Sequence, residues 1–383
     1  MTGGEKPKWR WRRLVGIAFS LISLVVLTYI AITLITGRGL DMAWLTDMFS
    51  RREPVEAVDE YHFEVGRDRV FADLGGSLAA AGTLGVQVLD IGGNELIRDP
   101  FRMSRPAINA SNGRAVAFDI GGTAVRVFSD TRITASFEAG GEIVSASINR
   151  NGWFCVSAQE GGGLRGVATV YDDRGSAVYK VNLASGFVLS AVLSPDNRNL
   201  AVLNLTDNGS RITLYNGLNK TDPDSSFELK GGLIVDIQYL SNGNLLAVTT
   251  DSLIILGRSG ASGMMYEFFD KRLGGFSLDD GLIALHILDF GVGHGGRLVM
   301  LKEDGLVLGE LAIDREIFSM SLGGGLLAVL RSDGPALYDT DLEELTISGD
   351  RLSATGAGRI LALENGAALA VGEHLAIVIK AED

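Results

Sequence analysis

Eight times along this chain a short apolar strand follows a turn made of Gly, Asn or Asp, and that periodicity limits the fold more than any other feature. The apolar units begin at Ser77, Ala115, Trp153, Leu200, Leu245, Leu282, Leu326 and Ala368, most with a Leu-Ala-Val-like pattern, and they are spaced 37 to 47 residues apart. The turns before them are Gly75-Gly76, Asn112-Gly113, Asn151-Gly152, Asp196-Asn197, Asn242-Gly243, Asp280-Gly281, Gly324-Gly325 and Asn365-Gly366. Tight hairpins need backbone angles that cost little only for these residue types, so each unit predicts a β-hairpin. A partner strand follows each one, and Asp90, Asp172 and Asp339 sit directly behind three of the partners, where the chain turns again.

A unit near 40 residues built only of strands and turns matches one blade of a β-propeller. A β-helix coil is much shorter, and a β-sandwich does not repeat its hairpin signal eight times. The expected fold is therefore all-β, an eight-bladed β-propeller over residues 61–383. Seven blades is the alternative if the weak first repeat is irregular. The last repeat lacks a fourth strand, because only residues 380–383 follow Ile379, while the alternating segment 61–65 has no partner of its own. A ring with an incomplete blade exposes an edge, so the N-terminal segment is expected to close the final blade.

Ahead of the repeats, residues 14–35 form an uncharged apolar run of 22 residues. As a helix it would reach roughly 33 Å, enough for a hydrocarbon core about 30 Å thick. A cleaved signal peptide would have a shorter apolar core and a small-x-small site, neither of which is present. The expected layout is a basic cytoplasmic tail over residues 1–13, a transmembrane helix over 14–36 and a juxtamembrane stalk over 37–60, with a short interfacial helix at 40–49. Lys6, Lys8, Arg10, Arg12 and Arg13 outweigh Arg38, Arg51 and Arg52, which places the tail in the cytoplasm and the repeats outside it. Trp9 and Trp11 at one end and Trp44 and Phe49 beyond the other suit the two interfaces.

The basic tail carries net +4 of a total of −13, which leaves −17 on the rest. So acidic a body repels phosphate backbones and argues against nucleic acid as a partner. Cys155 is the single cysteine, so no disulfide framework or cysteine metal cluster can form, and it reads as a small apolar core residue.

The hairpin repeat, the strand ending in Tyr-Asp (Tyr171-Asp172, Tyr338-Asp339) and the N-terminal apolar run together resemble an uncharacterised family of membrane-anchored propellers, a domain of unknown function of clostridial-type Firmicutes. The resemblance covers nearly the whole chain and rests on strand patterns rather than on chemistry. It implies an anchored propeller outside the cytoplasm and assigns no catalytic residue. Looser similarity runs to outer-membrane assembly scaffold propellers, WD-repeat proteins and quinoprotein-like propellers. The body has only Trp153 where quinoprotein blades repeat a docking tryptophan, and the Gly-His and Trp-Asp signature of WD repeats is absent.

Catalytic and metal chemistry is sparse. His62, His286, His294 and His374 show no ligand spacing. Asp289-Phe290-Gly291 matches a kinase motif by letters only, and Asp222-Pro223-Asp224-Ser225 with Glu228 reads as an exposed turn rather than a calcium loop. No cofactor is expected. The connections 160–166, 206–211 and 289–297 look long, belong to one face of a propeller, and each ends at or near an arginine. Arg165, Arg211 and Arg297 are thus the candidate ligand-binding residues, with solvated hairpin loops as the plain alternative. The expected function is a non-enzymatic binding or scaffolding module for a protein or cell-envelope ligand. A lyase or hydrolase acting on envelope sugars in the channel, and a receptor signalling through another membrane protein, are the alternatives.

Overall fold

A computed structural model describes residues 60–160, 166–183, 185–279, 281–289, 295–348, 356–372 and 375–382. Every regular element among them is a strand. The tail, the apolar run and the stalk up to residue 59 lie outside the described residues, and among those described no helix is long and apolar enough to cross a membrane.

The strands form eight antiparallel sheets, which are the eight blades of a propeller. In blades 1 to 7 the sheet order follows the chain, from the innermost strand to the outer one. All eight turns between innermost and second strands fall where the repeat predicts them, with left-handed residues at their tips. Asn112 and Gly113 have φ of 48° and 73°, a two-residue hairpin whose twist suits the flanking strands.

The second strand of each blade is the most apolar segment of its repeat because it is covered on both faces. Leu245–Thr249 is buried throughout, as is Ala367–Val371. Eight apolar clusters result, one at each junction between neighbouring blades. Cys155 lies in one of them, fully buried between blades 3 and 4, where burial pushes its thiol pKa far up.

The ring closes through the N-terminal segment, as its unpaired alternation suggests. Glu60–His62 pairs antiparallel with Leu375–Ala381, the third strand of blade 8. The closure has a second component that was not expected. Ile347–Ser348, just after blade 7, pairs with Lys380 and Ala381 farther along the same edge, so two short pieces together complete the outer strand.

From blade 8 the segment continues across blade 1. The Glu64 N–H donates to Gln87 Oε1 at 3.0 Å, and the Leu84 N–H donates to Val65 O at 2.8 Å. A Cβ at Gly82 would sit 2.3 Å from Val65 O, so only glycine lets the two backbones approach this closely. Tyr61, Phe63 and Val65 are buried in the cluster shared by blades 8 and 1. Phe63 stands edge-on to Phe71 with ring centroids 4.9 Å apart.

Candidate functional site

Because every blade has the same orientation, the ring presents two different faces. One carries the tight turns between innermost and second strands and is called the hairpin face. The other carries the connections from each outer strand to the next blade, together with the links from second to third strands, and is called the crossover face.

Arg211 and Arg297 both lie near the crossover-face ends of third strands, in blades 4 and 6. Each is engaged within its own blade. Arg211 is directly opposite Glu228 on the outer strand, and its Nε donates to Glu228 Oε1 at 2.7 Å. Arg297 Nη1 lies 3.3 Å from Glu310 Oε2, and Glu310 also accepts from the Tyr266 hydroxyl of blade 5 at 3.1 Å. Arg165 lies outside the described residues. The 206–211 connection is not a long loop. The strands extend to Thr206 and resume at Gly209, which pair with each other across a two-residue hairpin.

The crossover face also gathers apolar side chains that the sequence reading did not single out. Phe187 and Leu205 are a directly opposed pair at this end of blade 4, and both are exposed. Leu233 and Val235 stand at the start of blade 5, Phe269 in the connection into blade 6, and Phe318 at the start of blade 7, all exposed. Val235 and Phe318 occupy β-bulges, which re-aim a side chain that regular pairing would turn inward. Phe269 and Asp270 are both left-handed, with φ of 50° and 61°. This conformation is strained for a bulky residue, and it leaves Phe269 67% exposed beside the fully buried Phe268.

The hairpin face opens into the central channel through a cavity of about 750 Å³. Ser145, Ser190 and Asp236 line its inner part. Each follows a bulge in an innermost strand, in blades 3, 4 and 5 respectively. Asp236 has no ion-pair partner among the described residues; burial raises its pKa to about 6, and the Ile237 backbone N–H opposes the rise only in part. Ser190 Oγ is buried with no hydrogen-bond partner.

Around the channel the innermost strands are joined blade to blade by polar side chains. Asn109 Nδ2 donates to Ala146 O at 2.6 Å, and Ser147 Oγ donates to Ala191 O at 2.7 Å. The Leu322 N–H donates to Ser277 Oγ at 2.9 Å, and the Glu364 N–H donates to Asp73 Oδ2 at 2.6 Å across the closing junction. Asn149 is the most connected of these residues. Its Nδ2 reaches Ser194 O at 3.0 Å and Asn197 Oδ1 at 2.6 Å, while its Oδ1 accepts from the Asn151 and Trp153 N–H groups at 3.1 Å each.

The remaining motifs have structural surroundings. Asp224 accepts from Lys220 and from the Asn216 N–H in an exposed turn. Asp289 pairs with Lys271. His286 is buried and its pKa is lowered by that burial, His62 is exposed beside Glu60, and His294 and His374 lie outside the described residues. Among the described residues no three His, Cys, Asp or Glu side chains come together as a metal site.

Residues 51–341 match the model of a family described as Family of unknown function (DUF5711). The chain belongs to that family. No curated protein matches it in sequence. Among solved structures, the C-terminal WD40 domain of Sif2 is similar at 13% identity and a TM-score of 0.53, covering 85% of this chain and 96% of that one. Sqt1 of Saccharomyces cerevisiae is similar at 9% identity and a TM-score of 0.56, covering 86% of this chain and all of that one. At these identities the likeness is one of fold. This member of the family therefore reaches a WD40-like ring without the WD signature, and polar contacts between innermost strands join its blades.

Proposed function

We propose that the chain is a non-enzymatic binding module that holds a protein partner on the crossover face of its ring. The observation that carries this reading is the set of exposed apolar side chains there, Phe187, Leu205, Leu233, Val235, Phe269 and Phe318. Aromatic anchors of this kind dominate the energetics of protein interfaces, and large exposed apolar groups gathered on one face mark interaction sites. Arg211 and Arg297 border the same face through blades 4 and 6. In the proposal they supply cationic contacts to acidic groups of the partner, exchanging their present intrablade carboxylates for new ones.

The proposal includes a tether. The apolar run 14–35 and its basic flank support an anchored chain with the propeller outside the cytoplasm. A ring held on a 37–60 stalk would keep a protein or cell-envelope ligand close to the membrane surface.

The test compares quantitative crosslinking and affinity capture from native membranes for the wild type and the triple variant Phe187→Ala, Phe269→Ala, Phe318→Ala. All three side chains are exposed, so the fold should survive the change. Partners specific to the wild type and lost from the variant are the expected outcome. An identical capture profile for the two proteins would contradict the proposal.

A further inference from the structure

The cavity on the hairpin face points to a second and independent binding site. We infer that it takes an alkylammonium group, entered end-on and seated on the Asp236 carboxylate. Three features converge on that chemistry.

The first is the lone carboxylate. Asp236 lines the inner part of the cavity with no ion-pair partner among the described residues, in a place where burial disfavours its charge. A charged group taken from water is stabilised most by an opposite charge placed beside it. Among the described lining residues the one basic side chain, Arg150, lies in the turn at the rim, so a ligand cation would supply that charge.

The second is the set of neutral acceptors around the carboxylate. Ser145, Ser190 and Gln238 line the same cavity, and Ser190 Oγ is buried without a hydrogen-bond partner. An ammonium carries three donors and no acceptor, so one carboxylate oxygen with hydroxyl and amide oxygens can satisfy it fully. A divalent metal would demand more anionic or imidazole ligands than the described residues gather.

The third is the shape and charge of the approach. Val192, only partly buried, provides apolar wall beside the polar end, as a methylene chain behind an ammonium requires. Asp279, Glu303 and Glu364 line the cavity farther out, and Arg150 is the one basic residue among the described lining residues, so the entrance favours cations. Glu303 is held in place by the Ser241 N–H at 2.9 Å and by the Ser241 hydroxyl. A cavity of about 750 Å³ lies within the range of small-ligand sites.

An ammonium on an alkyl chain has two sources, a free amine or a lysine side chain of a polypeptide, and the experiment separates them. Full-length protein is titrated calorimetrically with n-butylamine, with 1-butanol as the uncharged control, and with Nα-acetyl-lysine methylamide. Saturable binding of the amines but not of the alcohol is expected. It should weaken at least tenfold in Asp236→Asn and in Ser190→Val, which narrows the inner cavity and leaves the carboxylate in place. Unfolding curves confirm that each variant is folded. From pH 5 to pH 7.5 the ionised fraction of a carboxylate titrating near 6 rises about tenfold, and the amine affinity should follow it.

Tighter binding of butylamine than of the lysine derivative assigns a free amine, and the reverse order assigns a polypeptide lysine. Amine binding no stronger than that of butanol, or unchanged by Asp236→Asn, would overturn the inference. The crossover-face triple variant should bind amines like the wild type, so failure at one face leaves the other reading untouched.

Discussion

Replacing Phe63 by alanine tests the ring closure at a buried aromatic residue of the closing segment. Phe63 belongs to the segment joining blade 8 to blade 1, is buried, and contacts Phe71 edge-on at 4.9 Å and Tyr61 at 6.3 Å. Truncating a buried phenylalanine typically costs about 3–5 kcal/mol through lost transfer energy and the cavity left behind. The aromatic pairs place this site toward the upper end of that range. For a domain of this size each kcal/mol lowers the melting temperature by about 2 °C, so a drop of roughly 8–10 °C is expected. Differential scanning fluorimetry and urea unfolding both measure it. Phe269→Ala is the control, because that side chain is 67% exposed and its removal should shift the midpoint by less than about 1 °C. Equal stability of Phe63→Ala and wild type would refute the reasoning, since it would mean that the N-terminal segment is not part of the core.

Other perturbations have equally definite expectations. Asp236→Asn should stabilise the protein by on the order of 2–3 kcal/mol at pH 8 and by little near pH 4. The folded carboxyl titrates near 6, above its unfolded value, so its ionisation opposes folding increasingly as pH rises through that window; denaturation at the two pH values measures the difference. Asn149→Ala should cost about 2–3 kcal/mol by urea unfolding, because it breaks two bonds to blade 4 and two within its own turn. Cys155 should resist a thiol reagent in the native protein and react at the rate of unfolding, since it is fully buried and its thiol is held protonated. Gly82→Ala should destabilise the closure, because its Cβ would meet Val65 O, and hydrogen exchange at Val65 to Arg67 should rise.

The blades were legible because their signal is local. A turn that needs left-handed residues and a second strand buried on both faces mark each repeat within about ten residues, and the eight turns sit where those marks place them. The closing strand was legible for a different reason, as Tyr61 and Phe63 alternate with polar residues and had no partner nearby. Its companion Ile347–Ser348 was not, because two residues carry no periodicity. The 206–211 connection was misread since Thr206, Asp207, Asn208 and Gly209 look like a loop by composition, whereas only two of them turn.

The candidate sites were harder to read. Glu228 and Glu310 engage Arg211 and Arg297 across the sheet, at separations in sequence where no motif links them. Asp236, Ser145 and Ser190 carry no common signature either, because a bulge rather than the residue pattern turns them toward the axis. The apolar crossover face was hidden for the same reason. Phe318 and Val235 look like ordinary strand residues until the bulges expose them.

Site-specific photocrosslinking tests the proposed role most directly. A photoreactive phenylalanine analogue placed at 187, 269 or 318 should capture a partner protein in native membranes, while the same probe at Val178 or Leu96 on the outer strands should not. Crosslinks arising equally from the outer strands, or none from the crossover face, would contradict the account.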